Sequence, residues 1–438
     1  MKRLGAVAFC LLGAVLALAP VAGAREIPGQ YIVVLKDGSD VSDAVADHRR
    51  GAQAQVLGSY SHALRGYTAR LSAAGLAEVK ADPRVDFVTP DREGKVALAQ
   101  PAPAGIDRID ADLATPIAGD GAGAVDTDIA VFDSGVQTNH PDLNVAGGVN
   151  CLGSIYTGND GTIGDQHGHG THVAGIIGAK DDEIGVVGVA PGARLWSVRV
   201  ADGAASSTTS SQLCGIDWIT QNAATLGIKV VNASTGLFGT VDDGNCGYTA
   251  NDALHQAICA STAAGVLWVF GAGNTPGDLN QMPGAGYDEA LAVTAMSDSN
   301  GIAEPGSTAT FTCRPITSNK SVARQVEDQD TSWSRYAVSA ADQAHTLAAP
   351  GFCVNSTYKG STWGRMNGTS MATPHVTGTA ALCFESGQCA GTPAEAIQKL
   401  VGDAAAYTQA NPGYGFTGDP LRPVAGRYYG YLVRPGLY

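Results

Sequence analysis

The sequence predicts an α/β protein with a doubly wound, mostly parallel sheet and helices on both faces, preceded by a small α+β unit. Three observations support this prediction. Apolar, strand-like runs alternate with helical segments over most of the 438 residues. Glycine is abundant (57 residues) and charged residues make up only 16 %, which argues against a disordered or coiled-coil chain. The charge balance and the cysteine content both change near residue 99.

The first 24 residues have the pattern of a secretory signal. Lys2 and Arg3 precede an apolar run, and small residues stand before Arg25. The alternative is an uncleaved membrane anchor, because the run has about the minimum length that spans a bilayer. We expect a signal peptide at 1–24, a secreted, extracellular protein, and no membrane association after the signal is removed.

The small α+β unit is predicted at residues 25–99. Residues 25–98 contain no cysteine and carry 10 basic and 10 acidic side chains, so this part is neutral. Its alternating, β-branched runs predict strands and its amphipathic runs predict helices. The predicted strands are Gln30–Lys36, Gly66–Leu71 and Arg84–Thr89, and the predicted helices are Val41–Gln55 and Ala73–Ala81.

The larger α/β domain is predicted at residues 100–438. From residue 99 onward the chain has 15 basic and 31 acidic residues, which argues against nucleic acid as a partner. Polar residues interrupt the alternation at 300–345 and predict a long surface insertion. The predicted strands are Asp128–Phe132, Leu195–Val200, Val230–Ala233, Val266–Gly271 and Leu291–Ala295, and the predicted helices are His172–Gly178, Ser211–Thr225, Asn251–Ala264 and Thr373–Phe384.

Eight cysteines remain when Cys10 is removed with the signal, and all lie after residue 99. An even number in an exported chain predicts disulfide bonds. The short spacing favours a Cys383–Cys389 pair first and a Cys313–Cys353 pair next. No C-x-x-C pair occurs, so a structural zinc site is not expected.

Three segments carry side chains suited to nucleophilic catalysis. Asp133 ends an apolar strand, where it can orient a base at the active-site edge of a parallel sheet; taken alone, it better suits a strand-end or helix-capping role. His167, His169 and His172 do not have the i, i+4 spacing of a helical zinc pair, and His169 suits a general base, although a metal site is the alternative. Ser370 follows a glycine and opens an apolar helix, where free N–H groups stabilise an oxyanion; the alternative is an N-cap serine.

With these segments in the order Asp, His, Ser, the sequence resembles the subtilisin-like serine peptidases (subtilases), and most nearly the group of subtilisin and the proteinase K-like enzymes. The resemblance covers about residues 100–432. The front unit also resembles the inhibitory, ferredoxin-like propeptide of this family. The motifs that carry the resemblance are F-D-S-G-V at 132–136, N-H-P-D-L at 139–143, H-G-T-H-V-A-G at 169–175, G-A-G-N at 271–274 and N-G-T-S-M-A-T-P-H-V at 367–376.

The resemblance implies a serine endopeptidase that hydrolyses peptide bonds through an acyl-enzyme. Ser370 is the implied nucleophile and His169 the implied general base, while Asp133 orients His169. Asn274 is the implied side-chain donor to the oxyanion, together with the backbone N–H of Ser370.

Three other histidines and two segments take their expected roles from the same resemblance. His172 and His375 match structural positions, and His167 departs from the usual Asn or Asp. Ser234, Thr235 and Gly236 match one wall of the primary specificity pocket, and Ala272 and Gly273 match the other. Because these positions carry no acidic residue, we expect broad specificity for apolar or small residues in protein or peptide substrates.

The resemblance further implies an autoprocessed zymogen whose own propeptide is an intramolecular inhibitor. Self-cleavage is expected near Leu98–Gln100, and the mature enzyme is expected to be a monomer. No cofactor is required, but structural calcium occurs in this family, and Asp142 matches a position that can be a ligand. A salt bridge or cap at Asp142 is the alternative. The competing function is a catalytically silent binding protein with the same fold.

Overall fold

The computed structural model describes residues 25–93, 100, 102–121, 124–153, 162–316 and 324–438. The predicted signal peptide at 1–24 lies outside these residues, as does most of the predicted cleavage region. No helix among the described residues is long and apolar enough to cross a membrane. The chain divides into two compact units between Ala97 and Leu98, and each is described separately.

The first unit has the element order β-α-β-β-α-β of ferredoxin-like folds. Its four strands pair in the antiparallel order β2-β3-β1-β4. Helix α1 begins where Asp40 caps two backbone N–H groups. The elements are β1 (Arg25–Leu35), α1 (Val41–Arg50), β2 (Gln55–Tyr60), β3 (Gly66–Arg70), α2 (Ala73–Ala81) and β4 (Val85–Glu93).

The predicted helix Val41–Gln55 is too long at its C-terminal end. The helix ends at Arg50, and the chain from Gln55 forms the unpredicted strand β2. This strand lies at the edge of the sheet, and its side chains are exposed or half-buried. It therefore lacks the clear apolar alternation that would mark a half-buried strand.

The second unit is the predicted doubly wound sheet. Its strands lie in the order β17-β14-β10-β9-β8-β5-β7-β6, all paired in parallel, and a short antiparallel strand β13 pairs with β10. The strands are β5 (Asp128–Asp133), β6 (Val145–Asn150), β7 (Arg194–Arg199), β8 (Ile228–Ala233), β9 (Leu267–Gly271), β10 (Leu291–Ser297), β11 (Thr310–Thr312), β12 (Arg324–Val326), β13 (Gln329–Asp330), β14 (Thr346–Phe352), β15 (Val354–Tyr358), β16 (Thr362–Met366) and β17 (Tyr431–Leu432).

Helices cover both faces of this sheet. Along β5, Ile129 and Val131 belong to the core that contains α4 and α8, whereas Ala130 and Phe132 belong to the core that contains α5 and α6. This alternation follows from the two-residue repeat of a strand, and it explains why residues 129–132 of β5 are all apolar. The helices are α3 (Ala104–Arg108), α4 (His169–Gly178), α5 (Thr209–Leu226), α6 (Ala253–Ala263), α7 (Ala340–Ala344), α8 (Thr369–Glu385) and α9 (Pro393–Ala410).

Among its described residues, the polar stretch 300–345 is exposed in some parts and buried in others. Residues 303–310 are mostly exposed, but Thr331 and Ser334 are fully buried. Their hydroxyls bond the backbone N–H and carbonyl of Ala295 in β10. Polar side chains here therefore satisfy backbone groups near the carboxyl end of a strand inside the sheet. A polar composition predicts a location on the surface. These hydroxyl groups can be buried because backbone groups satisfy their hydrogen bonds.

The described residues contain four disulfide bonds. Both predicted pairs, Cys383–Cys389 and Cys313–Cys353, occur in the structure. The other two bonds are Cys151–Cys214 and Cys246–Cys259. All eight cysteines therefore lie in the second unit and are paired within it.

Candidate active site

The candidate site lies at the carboxyl end of β5. The chain goes from β7 on one side of β5 to β8 on the other, so this strand end is a topological switch point, where open α/β sheets bind ligands. Asp133 is the last residue of β5, and Val131 pairs in register with Asn232 of β8. Two residues further along, Asp133 and Ser234 are brought to the same edge of the sheet.

Asp133 and His169 form a close carboxylate–imidazole pair. The two carboxylate oxygens of Asp133 lie 2.8 and 2.9 Å from Nδ1 of His169. Asp133 is buried, whereas the His169 side chain keeps 19 % of its surface exposed. This geometry holds the imidazole in one orientation and leaves its other nitrogen, Nε2, for a reacting partner.

The pair controls both pKa values. Burial alone would raise the pKa of Asp133, but the charge of His169 and the hydrogen bonds from His169 and Ser134 lower it below its ordinary value. Burial would lower the pKa of His169, but the negative charge of Asp133 and its hydrogen bond, with a further contribution from Asp165, raise it. Asp133 is therefore ionised at neutral pH, and the imidazolium form of His169 is stabilised.

Asp165 organises the loop that leads into α4. Its carboxylate accepts hydrogen bonds from the backbone N–H groups of His167, Gly168 and Thr171 and from the hydroxyls of Ser134 and Thr171. An acid at a helix start satisfies free N–H groups and favours the helix dipole. Asp165 thus fixes the start of the helix whose first residue is His169, a role that the sequence analysis missed.

Close backbone packing also fixes His169 at this start. A Cβ atom at Gly170 would lie 2.1 Å from the carbonyl oxygen of Gly135 and 3.1 Å from Cβ of Asp133. Only glycine therefore allows α4 to approach the turn after β5 closely enough for the Asp133–His169 contact.

Ser370 lies in the first turn of α8, which begins at Thr369 rather than at the predicted Thr373. Its hydroxyl donates to the carbonyl oxygen of Ser234 at 3.1 Å, and the Ser234 hydroxyl donates to the carbonyl oxygen of Ser370 at 2.9 Å. These reciprocal bonds join the helix start to the end of β8. Productive hydrogen bonds to a catalytic base commonly form only when substrate binds, and the Ser370 hydroxyl is here turned toward Ser234.

Asn274 follows β9 and contacts the same helix start. Its Oδ1 accepts from the backbone N–H of Thr369 at 2.8 Å and from the Thr369 hydroxyl at 3.1 Å. The Thr369 hydroxyl also accepts from the backbone N–H of Gly273 at 3.1 Å. With two donors on its oxygen, the orientation of the Asn274 amide is fixed, and its NH₂ group is left as a donor.

The predicted substrate-binding residues occupy two segments beside this helix start. Ser234, Thr235 and Gly236 follow β8 and are half-buried. Ala272 and Gly273 follow β9, the neighbouring strand, and are buried. Gly273 has φ of 106°, which favours glycine.

His172 and His375, the two histidines with expected structural roles, each bond a backbone carbonyl. His172 and His375 are fully buried, and burial lowers their pKa values to about 3 and about 4. Nε2 of His172 lies 2.9 Å from the carbonyl oxygen of Gly364, and Nδ1 of His375 lies 2.8 Å from that of Met371. Among the described residues, the groups that bring three metal-ligating atoms together lie elsewhere in the chain, so this geometry does not support the alternative of a metal bound by the 167–172 cluster.

Comparison with known proteins gives the class of this site. The model of the "Subtilase family" matches residues 125–417, and the model "Peptidase inhibitor I9" matches residues 30–97. M-protease of Shouchella clausii is 32 % identical over 358 residues, which are 82 % of this chain and 78 % of that protein. Subtilisin E of Bacillus subtilis is 31 % identical over 373 residues, covering 83 % and 82 %.

A solved structure shows the same fold. The crystal structure of a cold adapted subtilisin-like serine proteinase aligns with a TM-score of 0.53 and 25 % identity, over 76 % of this chain and 98 % of that one. These similarities define the protein as a serine-type endopeptidase preceded by an inhibitor segment. The chain belongs to the subtilase family.

Proposed function

We propose that this protein is a secreted serine endopeptidase, made as an autoprocessed zymogen, in which Asp133, His169 and Ser370 form the catalytic triad. The observation that carries this proposal is the buried Asp133 carboxylate 2.8 Å from Nδ1 of His169, at the strand edge where Ser370 bonds Ser234. A carboxylate that holds a base beside a hydroxyl at a helix start is the arrangement that acyl transfer requires.

In the proposed mechanism, the Ser370 hydroxyl turns from the carbonyl of Ser234 and attacks the carbonyl carbon of the scissile bond. Its proton passes to Nε2 of His169, and Asp133 stabilises the imidazolium. The oxyanion accepts hydrogen bonds from the NH₂ group of Asn274 and the backbone N–H of Ser370. His169 then protonates the leaving amine. In the second half, water attacks the acyl carbon and gives a proton to His169. The ester bond to Ser370 then breaks, and His169 returns the proton to the Ser370 oxygen as the acid product leaves.

We further propose that Ser234, Thr235, Gly236, Ala272 and Gly273 line the substrate site. An extended peptide can add to exposed backbone as an extra strand. No acidic side chain occurs among these five residues, which supports broad specificity for apolar or small residues over a strict preference for basic ones.

The processing proposal concerns the first 99 residues. A signal at 1–24 and an inhibitory propeptide at 25–99 precede the peptidase at 100–438, with self-cleavage near Leu98–Gln100. The match of 30–97 to an inhibitor model and the division near residue 97 support this boundary. The four disulfides support export, because such bonds persist in oxidising compartments.

Catalysis is proposed to need no cofactor, and the acting form is proposed to be a monomer that does not bind nucleic acid. A single chain supplies every group in the mechanism, and its second unit is strongly acidic. Asp142 is the candidate ligand of a structural calcium: it is buried, burial raises its pKa to about 7, and Oδ1 has no hydrogen-bond partner among the described residues. Oδ2, however, accepts from Val186 and Trp363, and one free oxygen is far short of the six to eight that calcium takes.

Labelling with a serine-directed phosphonate tests the proposed function. We expect the mature protein to be labelled once, at Ser370, and the Ser370→Ala variant to remain an uncut precursor. Thr369→Ala removes the adjacent hydroxyl and is the control, because it should still take the label. The labelled peptide is identified by mass spectrometry. A matured protein that takes no label would instead support the silent binding protein, and normal cutting of pure Ser370→Ala would contradict autoprocessing.

A further inference from the structure

Gln212 is a buried polar side chain to which the mechanism assigns no role. It lies in the first turn of α5, on the face of the sheet opposite α8, and none of its surface is exposed. A buried amide is destabilising unless its donors and acceptor are satisfied. The hydrogen-bond partners of the Gln212 amide therefore show which segment of the chain it positions.

Both ends of the Gln212 amide bond the substrate-facing segment. Its Nε2 donates to the carbonyl oxygen of Gly236 at 2.9 Å, and its Oε1 accepts from the backbone N–H of Phe238 at 3.1 Å. A carbonyl and an N–H two residues apart are the groups that a neighbouring strand would bond. The same Nε2 lies 3.3 Å from the hydroxyl of Ser207, in the loop that leaves β7 beside Asp133.

The segment needs such support because it lies beyond the end of β8. Strand β8 ends at Ala233, and residues 234–238 belong to no strand. Ser234 is held at the nucleophile end by its bonds with Ser370. Gln212 holds the far end, through Gly236 and Phe238.

We propose that Gln212 is a positioning residue that sets the backbone of residues 236–238 for pairing with extended peptide substrates. The inference rests on the proposed function, because it assigns the partner of this segment as substrate backbone. The carbonyl of Gly236 has two lone pairs; Gln212 takes one and orients the other. Substrate residues distant from the scissile bond depend on this end of the segment, whereas the residue that is attacked depends on Ser234 and Ser370.

The test compares substrates of different length. Gln212→Leu removes the hydrogen bonds of the amide to Gly236, Phe238 and Ser207 and keeps a similar shape. We expect KM for an N-acylated tetrapeptide anilide to rise about tenfold, the effect of losing a neutral hydrogen bond, with kcat unchanged. Both kinetic constants for an N-acetyl amino acid ester, which reaches only the attacked position, should stay at wild-type values. Gln221→Leu, the same change at an exposed position of α5, is the matched control.

A second variant keeps the shape of the side chain. Gln212→Glu retains the acceptor for Phe238 and, when protonated, also the donor for Gly236. We expect its KM for the tetrapeptide to rise with pH as the carboxyl ionises, while KM for the ester stays flat. A purely structural role would change both substrates together and would add no pH dependence to KM.

The outcomes separate this inference from the proposed function. An unchanged tetrapeptide KM in Gln212→Leu, or equal losses for both substrates, would overturn the role of Gln212. Absence of ester hydrolysis and of phosphonate labelling in the wild-type protein would overturn the proposed function instead. In that case, calorimetric titration with the tetrapeptide acid still tests Gln212, because weaker binding by Gln212→Leu is expected without turnover.

Discussion

Around Asp133 and His169, carboxylates provide the supporting contacts, whereas around Ser370 and Asn274 the contacts join hydroxyl, amide and backbone groups. Asp165 and Asp133 accept the hydrogen bonds that fix the histidine. On the other side, Ser234, Thr369 and Asn274 bond each other or the start of α8 through hydroxyl, amide and backbone groups. The acid–base half should therefore respond to pH and to charge, and the nucleophile half to the loss of single donors.

The largest expected effect comes from Asp133→Asn. The uncharged amide removes the charge that stabilises the His169 cation and presents a donor to Nδ1, which favours the wrong tautomer. We expect kcat to fall by about 10⁴, measured on protein matured by a removable, tagged wild-type enzyme. An unchanged melting temperature would show that the fold is kept. A loss of less than about tenfold would contradict the role of this charge.

Asn274→Ala tests the neutral half. It removes the proposed donor to the oxyanion, so kcat should fall by about 10²–10³ while KM stays constant.

Thr369→Val is the companion variant of Asn274→Ala. The Asn274 amide remains but loses one of the two donors that orient it, and a smaller fall of kcat, about tenfold, is expected. If both variants change KM rather than kcat, Asn274 contacts the bound substrate and not the transition state.

Asp165→Asn should shift the pH dependence of activity, and the expected shift of the midpoint is the smallest of these effects. His169 must be neutral to act as a base, so activity is lost as pH falls through its pKa, which lies above the ordinary value. Removal of the Asp165 charge lowers that pKa, and the midpoint of kcat/KM should move to lower pH. Asp217→Asn, at an exposed position of α5, is the control. A midpoint that moves upward or not at all would contradict the contribution of Asp165.

The difference between the halves also explains what the sequence could predict. Asp133, His169 and Ser370 stand in local motifs, and the strand β5 and helix α4 that carry two of them are marked by apolar runs. The fold class followed from the same alternation. Helix α9 was missed although Thr392 and Glu395 form a capping box at its start and Pro393 opens the helix, signals that sequence alone could have supplied.

Local sequence patterns could not predict the long-range contacts of the supporting residues. Gln212 bonds residues 24 and 26 positions away, and Thr369 contacts Asn274 across 95 positions. Nothing in the neighbourhood of a lone Gln distinguishes a buried amide from a surface one, and the motif that contains Thr369 does not show which distant residue its hydroxyl contacts. Their positions became meaningful only when the sheet order brought the ends of β5, β8 and β9 to one edge.

The Cys313–Cys353 bond has a consequence for a peptidase that shares solution with its own copies. Part of the chain between these cysteines is exposed, and the bond closes a loop with a sequence separation of 40 residues. A single cut by a neighbouring molecule inside this loop leaves the two fragments covalently joined, with β10 and α8 on opposite sides of the break. Self-digestion at this surface would then appear on a gel only after reduction, and the nicked molecule could persist as a working enzyme.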